Sequence, residues 1–246
     1  MTKSKSMSAS VRFAALSVMT AWLASSSAAP AAAPGPTGFP FTDEDLNYSV
    51  NWPSGLSLGE GHLHAKHTGG NWNFTLAIDA GVPGYAVKDT YHSASVPDFC
   101  SVSFERSTSH GSRTTQEKET INRDRSTVTR ETLSKEGGKS DFAVPMCVKD
   151  ALTYLFFTRR ELGQGRVPGT QQILFGGLYE IRMSYAGAPM ISVGNKQEQS
   201  DQVTCTVKTA SSQYTFDVYF ARDAARTPLL IAAPLAMGKF SMELIR

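Results

Sequence analysis

The sequence predicts a mainly β fold, an antiparallel sheet wrapped around one principal helix. Three observations carry this. Short stretches of alternating apolar and polar residues recur from Leu46 to Ile245, separated by Gly and Pro turns, as half-buried antiparallel strands do. One long stretch, Asp150–Leu162 (DALTYLFFTRREL), reads as a helix. A sheet with one apolar face needs a cover, and this helix is the candidate able to supply it.

The first strand is expected where Tyr48, Val50 and Trp52 alternate with Asn47, Ser49 and Asn51. Pro53-Ser54-Gly55 is a turn, and a second strand runs through Leu63 and Ala65 to the Gly69-Gly70 turn. Trp72, Phe74, Leu76 and Ile78 continue the period, followed by Tyr85, Val87, Asp89 and Tyr91 after the Gly81–Gly84 turn. Val102, Phe104 and Arg106 open a polar ribbon over residues 105–141, rich in Thr and balanced in charge, which reads as long solvated strands with a hairpin turn at Asn122–Arg125.

In the helix, Leu152, Leu155, Phe156 and Arg159 fall on one side at i, i+3, i+4, i+7 spacing. Asp150 suits the N-cap and the positive end of the helix dipole. Arg159 and Arg160 suit the other end, where they are expected to mark the exit toward solvent, and Gly163 is a natural stop. Beyond the GQGRVPG loop, strands are expected around Ile173 and Phe175, at Tyr179, Ile181 and Met183, at Met190–Val193, at Asp201–Val207 and at Tyr214–Phe220. Leu229–Ala233 and Met237–Ile245 close the chain.

The chain has 246 residues, 41% hydrophobic and 19% charged, enough for one domain with a real core, placed at residues 41–246. The formal net charge is +2, and Lys3, Lys5 and Arg12 lie in a first segment that holds no acid. That segment, with the apolar run Phe13–Leu23 and the small residues Ser26-Ser27-Ala28, reads as a signal peptide over residues 1–28, followed by a disordered Ala/Pro-rich lead-in over 29–40. The run is too short to span a bilayer well, which takes roughly 20 apolar residues, so no transmembrane anchor is expected after cleavage. The remainder is near neutral and gives no electrostatic footprint for nucleic acid. An exported protein is expected.

Export permits disulfides. Of the three cysteines, Cys100 and Cys147 are the preferred pair, because Cys147 sits just before the helix and Cys100 starts a strand. The alternative is three buried free thiols.

Motifs for chemistry are sparse. His62, His64 and His67 lie in one strand. His62 and His64 share a face and could offer two metal ligands, but they read better as a polar outer face opposite Leu63. No metal and no cofactor is therefore expected. There is no GxSxG and no SxxK, no phosphate loop and no dinucleotide fingerprint, so a non-enzymatic role is expected. Tyr48, Trp52, Trp72 and Phe74 could stack on sugars, but as inward strand residues they read better as core.

Three segments together resemble the bacterial domain-of-unknown-function family 3108. They are Glu44–Val50 with Gly59-Glu60-Gly61, the helix from Lys149 to Arg159, and Phe216–Asp223 with Arg226-Thr227-Pro228. The resemblance covers about residues 41–246. It implies export by Gram-negative bacteria, to the periplasm or in association with the outer membrane, and a strongly curved antiparallel sheet, an open or half barrel with the helix in its concave side. That architecture is similar to periplasmic carriers of lipoproteins and other hydrophobic ligands. It implies no catalytic residues.

The function expected is a periplasmic binding protein for an apolar ligand, a lipid or an acyl chain. Leu152, Leu155 and Phe156 would line or plug the cavity, with Trp72 and Phe74 as further contacts; otherwise these residues fill a dry core. The alternative is an envelope assembly or scaffold protein that meets an envelope partner through a sheet edge or the 105–141 ribbon. An envelope-acting hydrolase is the least favoured class.

Overall fold

A computed structural model of the chain describes residues 42–133, 137–235 and 238–246. The expected signal peptide and lead-in lie outside the described residues. Eight strands run as a meander: β1 (Glu44–Asn51), β2 (Ser57–Thr68), β3 (Asn71–Val82), β4 (Tyr85–Ser95), β5 (Ser101–His110), β6 (Arg113–Asn122), β7 (Thr127–Thr132) and β8 (Lys139–Ala143). The short β9 (Lys149–Asp150) leads into α1 (Ala151–Gly163). Then come β10 (Gln171–Leu174), β11 (Leu178–Gly187), β12 (Met190–Val193), β13 (Lys196–Lys208), β14 (Gln213–Ala221), β15 (Pro228–Leu235) and β16 (Gly238–Leu244).

The strands form one large curved sheet in the order β8-β7-β6-β5-β4-β3-β2-β1-β16-β15-β14-β13-β11-β10-β9, with β12 paired to β13. The two halves of the chain meet where β16 returns to β1, Tyr48 opposite Leu244. The sheet's turn chemistry is local. Gly69 and Gly70, both at positive φ, connect β2 to β3 with Thr68 opposite Asn71, the two-residue hairpin that β-strand twist favours.

The curve does not close by a ladder. Its last strand, β9, instead reaches the beginning of β5, where Ser101 N–H donates to Val148 O at 3.0 Å. Cys100 and Cys147 are joined as a disulfide beside this contact, with Cα atoms 4.7 Å apart. Cys205 is a buried free thiol.

Asp150 ties this seam to the helix. As N-cap it accepts from Leu152 N at 2.9 Å and Thr153 N at 3.0 Å. Its second oxygen accepts from the hydroxyls of Ser93 (2.6 Å), Ser101 (2.6 Å) and Thr153 (2.8 Å). The carboxyl is fully buried, which pushes its pKa up, and the hydroxyls of Ser101 and Ser93 pull it back. At the other end Gln164 N–H closes the helix on Arg160 O and Glu161 O, one residue beyond the expected Gly163 stop.

Two sequence expectations change here. Arg159 does not mark an exit to solvent: it is 1% exposed. Its guanidinium pairs with the Glu44 carboxylate, donates from Nε to Ala225 O at 3.0 Å and lies over the Phe156 ring. An arginine at a helix end reads as a surface residue because an unpaired buried charge is so costly; the compensating carboxylate comes from β1, remote in sequence. The 105–141 ribbon is solvated on one face only. Glu119, Ile121 and Val128 are buried on the other face, where Ile121 and Val128 pack with Val144, Val148 and Leu174.

Two outcomes follow from the seam. Asp150→Ala is expected to cost about 3 kcal/mol, roughly 1 for the cap and the rest for buried hydroxyls left without their acceptor; a denaturant midpoint unchanged from wild type would refute the seam's importance. Removing the Cys100–Cys147 link by a double Ala substitution opens a loop with a sequence separation of 47 residues. The chain-entropy model gives about 4 kcal/mol for that loop, and alkylation with mass spectrometry of the unreduced protein should find Cys205 alone reactive after denaturation.

Candidate functional site: an apolar cavity beside the helix

The helix divides the concave side of the sheet into two unlike regions. On one side it is packed solid. Phe156, with 0% exposure, stacks on Phe74, with 1%, at a ring-centroid distance of 4.0 Å. Phe74 in turn stacks on Trp72 at 6.1 Å and on Phe99 at 6.4 Å. Tyr48, Leu63, Phe104, Leu229 and Leu244 complete this core. The Tyr48 hydroxyl is satisfied by Pro228 O at 3.0 Å.

On the other side, between the helix and strands β10, β11, β13, β14 and β15, a cavity of about 390 Å³ remains. Its helix wall is Ala151, Leu152, Tyr154 and Leu155. The sheet contributes Leu76, Ile173, Phe175, Tyr179, Ile181, Met183, Cys205, Val207, Phe216, Val218, Phe220 and Ile231. Leu155, Phe175, Tyr179, Met183, Phe216 and Ile231 are only half-buried, so the apolar wall is partly open to solvent. The size lies within the roughly 300–1,000 Å³ range of ordinary small-molecule sites.

The Cys205 thiol and the Tyr154 hydroxyl on the lining are held in their neutral forms. Burial, and then the nearby Asp217 carboxylate, push the Cys205 thiol up to about 12. Burial likewise raises the Tyr154 phenol. A thiol so far from ionisation is a poor nucleophile. The cavity wall therefore offers apolar dispersion contacts, with a thiol and a phenol that stay protonated.

Polar chemistry gathers at one rim. The turn between β10 and β11, Phe175-Gly176-Gly177, rests on the ribbon strands β5, β6 and β7. Gly176 N–H donates to Glu119 Oε2 at 3.2 Å, and Arg130 donates from Nη1 to Gly176 O at 2.5 Å. Arg106 lies over the Phe175 ring, 5.4 Å from its centroid, and pairs with Glu117 at 2.7 Å. Glu119 is 1% exposed. Its Oε1 has no hydrogen-bond partner among the described residues. Burial raises its pKa to about 7, against the pull of Gly176 N–H and Arg106.

The expected ligand contacts divide accordingly. Leu152 and Leu155 line the cavity. Phe156, Trp72 and Phe74 do not; their rings are consumed in the packed core on the helix's other side. His62 and His64 lie on the outer face, His64 exposed beside Asp45 and His62 bonded to Asn47 Oδ1 at 2.7 Å, while Leu63 between them is buried; His67 falls on the other face, its ring 5.0 Å from that of Trp72. Most of the sheet wall escaped the sequence reading as a site, although the alternation at Tyr179, Ile181, Met183 and at Phe216, Val218, Phe220 marks those residues as inward. Alternation identifies a face; it does not say whether that face meets side chains or a void.

Comparison with known proteins places this geometry. No curated protein matches the chain. Among solved structures it is similar to a crystal structure of a β-barrel-like protein of the domain of unknown function DUF1849 from Brucella abortus. The TM-score is 0.60 at 6% sequence identity, covering 84% of this chain and 97% of that one, a likeness of fold alone. A family model described as "Protein of unknown function (DUF3108)" matches residues 47–245. The chain thus belongs to the DUF3108 family, as the segments around Tyr48, the helix and the Phe216–Pro228 stretch imply.

Proposed function

We propose that the protein is a non-enzymatic binding protein for a small apolar guest, an acyl chain or lipid segment, and that it acts after export to the periplasm. The observation that carries this is the cavity of about 390 Å³ between α1 and the sheet, walled by aliphatic and aromatic side chains. Apolar surface left facing water forgoes about 25 cal/mol per Å², so a wall of this kind is worth most when covered by a guest. The helix supplies a rigid backing because it is anchored at both ends. The neutral Cys205 and Tyr154 side chains favour storage over chemistry. The leader-like first segment supports export.

Lipid extraction and mass spectrometry of the natively purified protein should detect a bound apolar molecule, and the neutral fluorophore N-phenylnaphthylamine should bind with saturable enhancement. Leu155→Trp, which fills the cavity from the helix, should weaken probe binding tenfold or more with little change in Tm. The absence of both a co-purifying lipid and probe binding would sink the proposal.

A second reading rests on β8. This strand ends the sheet, and its residues Lys139–Asp141 are exposed. Such an edge can receive a strand from an envelope partner, as an assembly or scaffold protein requires. Proline substitutions in Lys139–Asp141 should abolish a reproducible partner in pull-downs from envelope extract without altering probe binding; a partner retained by these variants would exclude the edge.

A further inference from the structure

We propose that the Phe175-Gly176-Gly177 turn is a latch at the mouth of the apolar cavity, held shut by Glu119 and Arg130, and that it loosens when Glu119 ionises. The proposal rests on the reading of the cavity as a binding site. Phe175 belongs to the cavity wall and also wedges against Tyr91 and Phe104, at ring-centroid distances of 5.6 Å and 5.7 Å. The residue beside it, Gly176, is gripped through both backbone groups, its N–H by Glu119 and its carbonyl by Arg130. A side chain is disfavoured there: Gly176 has φ +72°, a conformation that L residues rarely adopt, and a Cβ would displace the Arg106 guanidinium, lying 2.7 Å from its Nη2. The turn is thus a narrow backbone tab seated in a slot formed by three ribbon strands.

The slot contains one side chain that is badly placed as an anion. Glu119 is buried, and one of its oxygens has no hydrogen-bond partner among the described residues. The charged groups around it come from each neighbouring strand. Arg106 on β5 is engaged by Glu117 at 2.7 Å. Glu117, on β6 itself, repels the Glu119 charge. Arg130 on β7 is engaged by Gly176 O. Farther along the sheet, Asp89 on β4 is taken up by His110 at 2.8 Å and by the Tyr91 hydroxyl at 3.1 Å. The single direct donor to Glu119 among the described residues is the tab's own N–H.

The direction follows from linkage. In the closed form the acid titrates near 7, raised from its ordinary value by burial. With the tab lifted, water reaches the carboxylate and the ordinary range returns. Closure is therefore fully favoured below the ordinary carboxylate range and loses ground as the pH rises to about 7, above which the loss is constant. Acid shuts the latch and neutral to alkaline conditions loosen it.

The test follows exchange of the Gly176 amide by NMR, corrected for intrinsic base catalysis, alongside the association rate of N-phenylnaphthylamine. Between pH 5.5 and 7.5 the opening equilibrium should rise on the order of tenfold or more in the wild type, and probe association should accelerate with it. Glu119→Gln should remove the pH dependence from both. Arg130→Gln should raise Gly176 exchange at every pH while leaving the slope intact, so a misfolded Glu119→Gln still leaves a variant that can refute the idea. Flat wild-type exchange, or a slope that survives in Glu119→Gln, would overturn the latch. A probe that binds at a rate indifferent to opening would overturn its role at the mouth. No probe binding at any pH would instead count against the binding role, while amide exchange still decides whether the tab responds to Glu119.

Discussion

The carboxylate of Asp150 is the point on which the architecture depends. It lies where the sheet's last strand, the start of β5 and the first turn of the helix come together. Its five hydrogen bonds reach Ser93 on β4, Ser101 on β5 and Leu152 and Thr153 on α1. No other side chain could do this as well: an N-cap needs a short acceptor, and the second oxygen must accept several hydroxyls away from water. The same contact explains why a sheet that never closes by a ladder still encloses space. Its last strand is pinned onto β4 and β5 through one acid, one disulfide and one backbone hydrogen bond rather than by a continuous strand pair.

The helix is consequently held at two places. Asp150 fixes its beginning, and Arg159, paired with Glu44 and bonded to Ala225 O, fixes its end. Between them Phe156 is stacked on Phe74, which draws the helix toward β3 and β4. A helix so fixed is restrained from sliding onto β13, β14 and β15 to fill the remaining space. The cavity is thus a consequence of where the anchors lie. Packed rings on one side and a void on the other are two results of the same off-centre placement.

Much of this was legible in the sequence, in proportion to how local the responsible physics is. Alternation at Trp72, Phe74 and Leu76 and helical spacing at Leu152, Leu155 and Phe156 reflect backbone geometry, so the elements and the Asp150 cap could be read directly. The burial of Arg159 could not, because it depends on a glutamate that the fold brings from β1. Nor could the buried Glu119, which looks like one more polar residue in a solvated ribbon until Gly176 is set against it. The division between core and cavity was illegible for the same reason. Phe74 and Phe216 are equally inward by pattern, and only the tilt and position of the helix decide which of them meets a neighbour.

The arrangement of cysteines carries a consequence for how the chain reaches its native state. Cys100 and Cys147 are synthesised before Cys205, and in the finished protein Cys205 is buried on the inner face of β13, toward the helix. An odd thiol is a hazard in an oxidising compartment, since capture of either partner would trap a mispaired form. On a chain that enters such a compartment amino-terminus first, the correct pair can be completed before the odd cysteine arrives. Packing of the inner face of β13 with the helix then removes Cys205 from exchange. Chain order, rather than the relative stability of competing bonds, would thereby select the link that fastens the sheet.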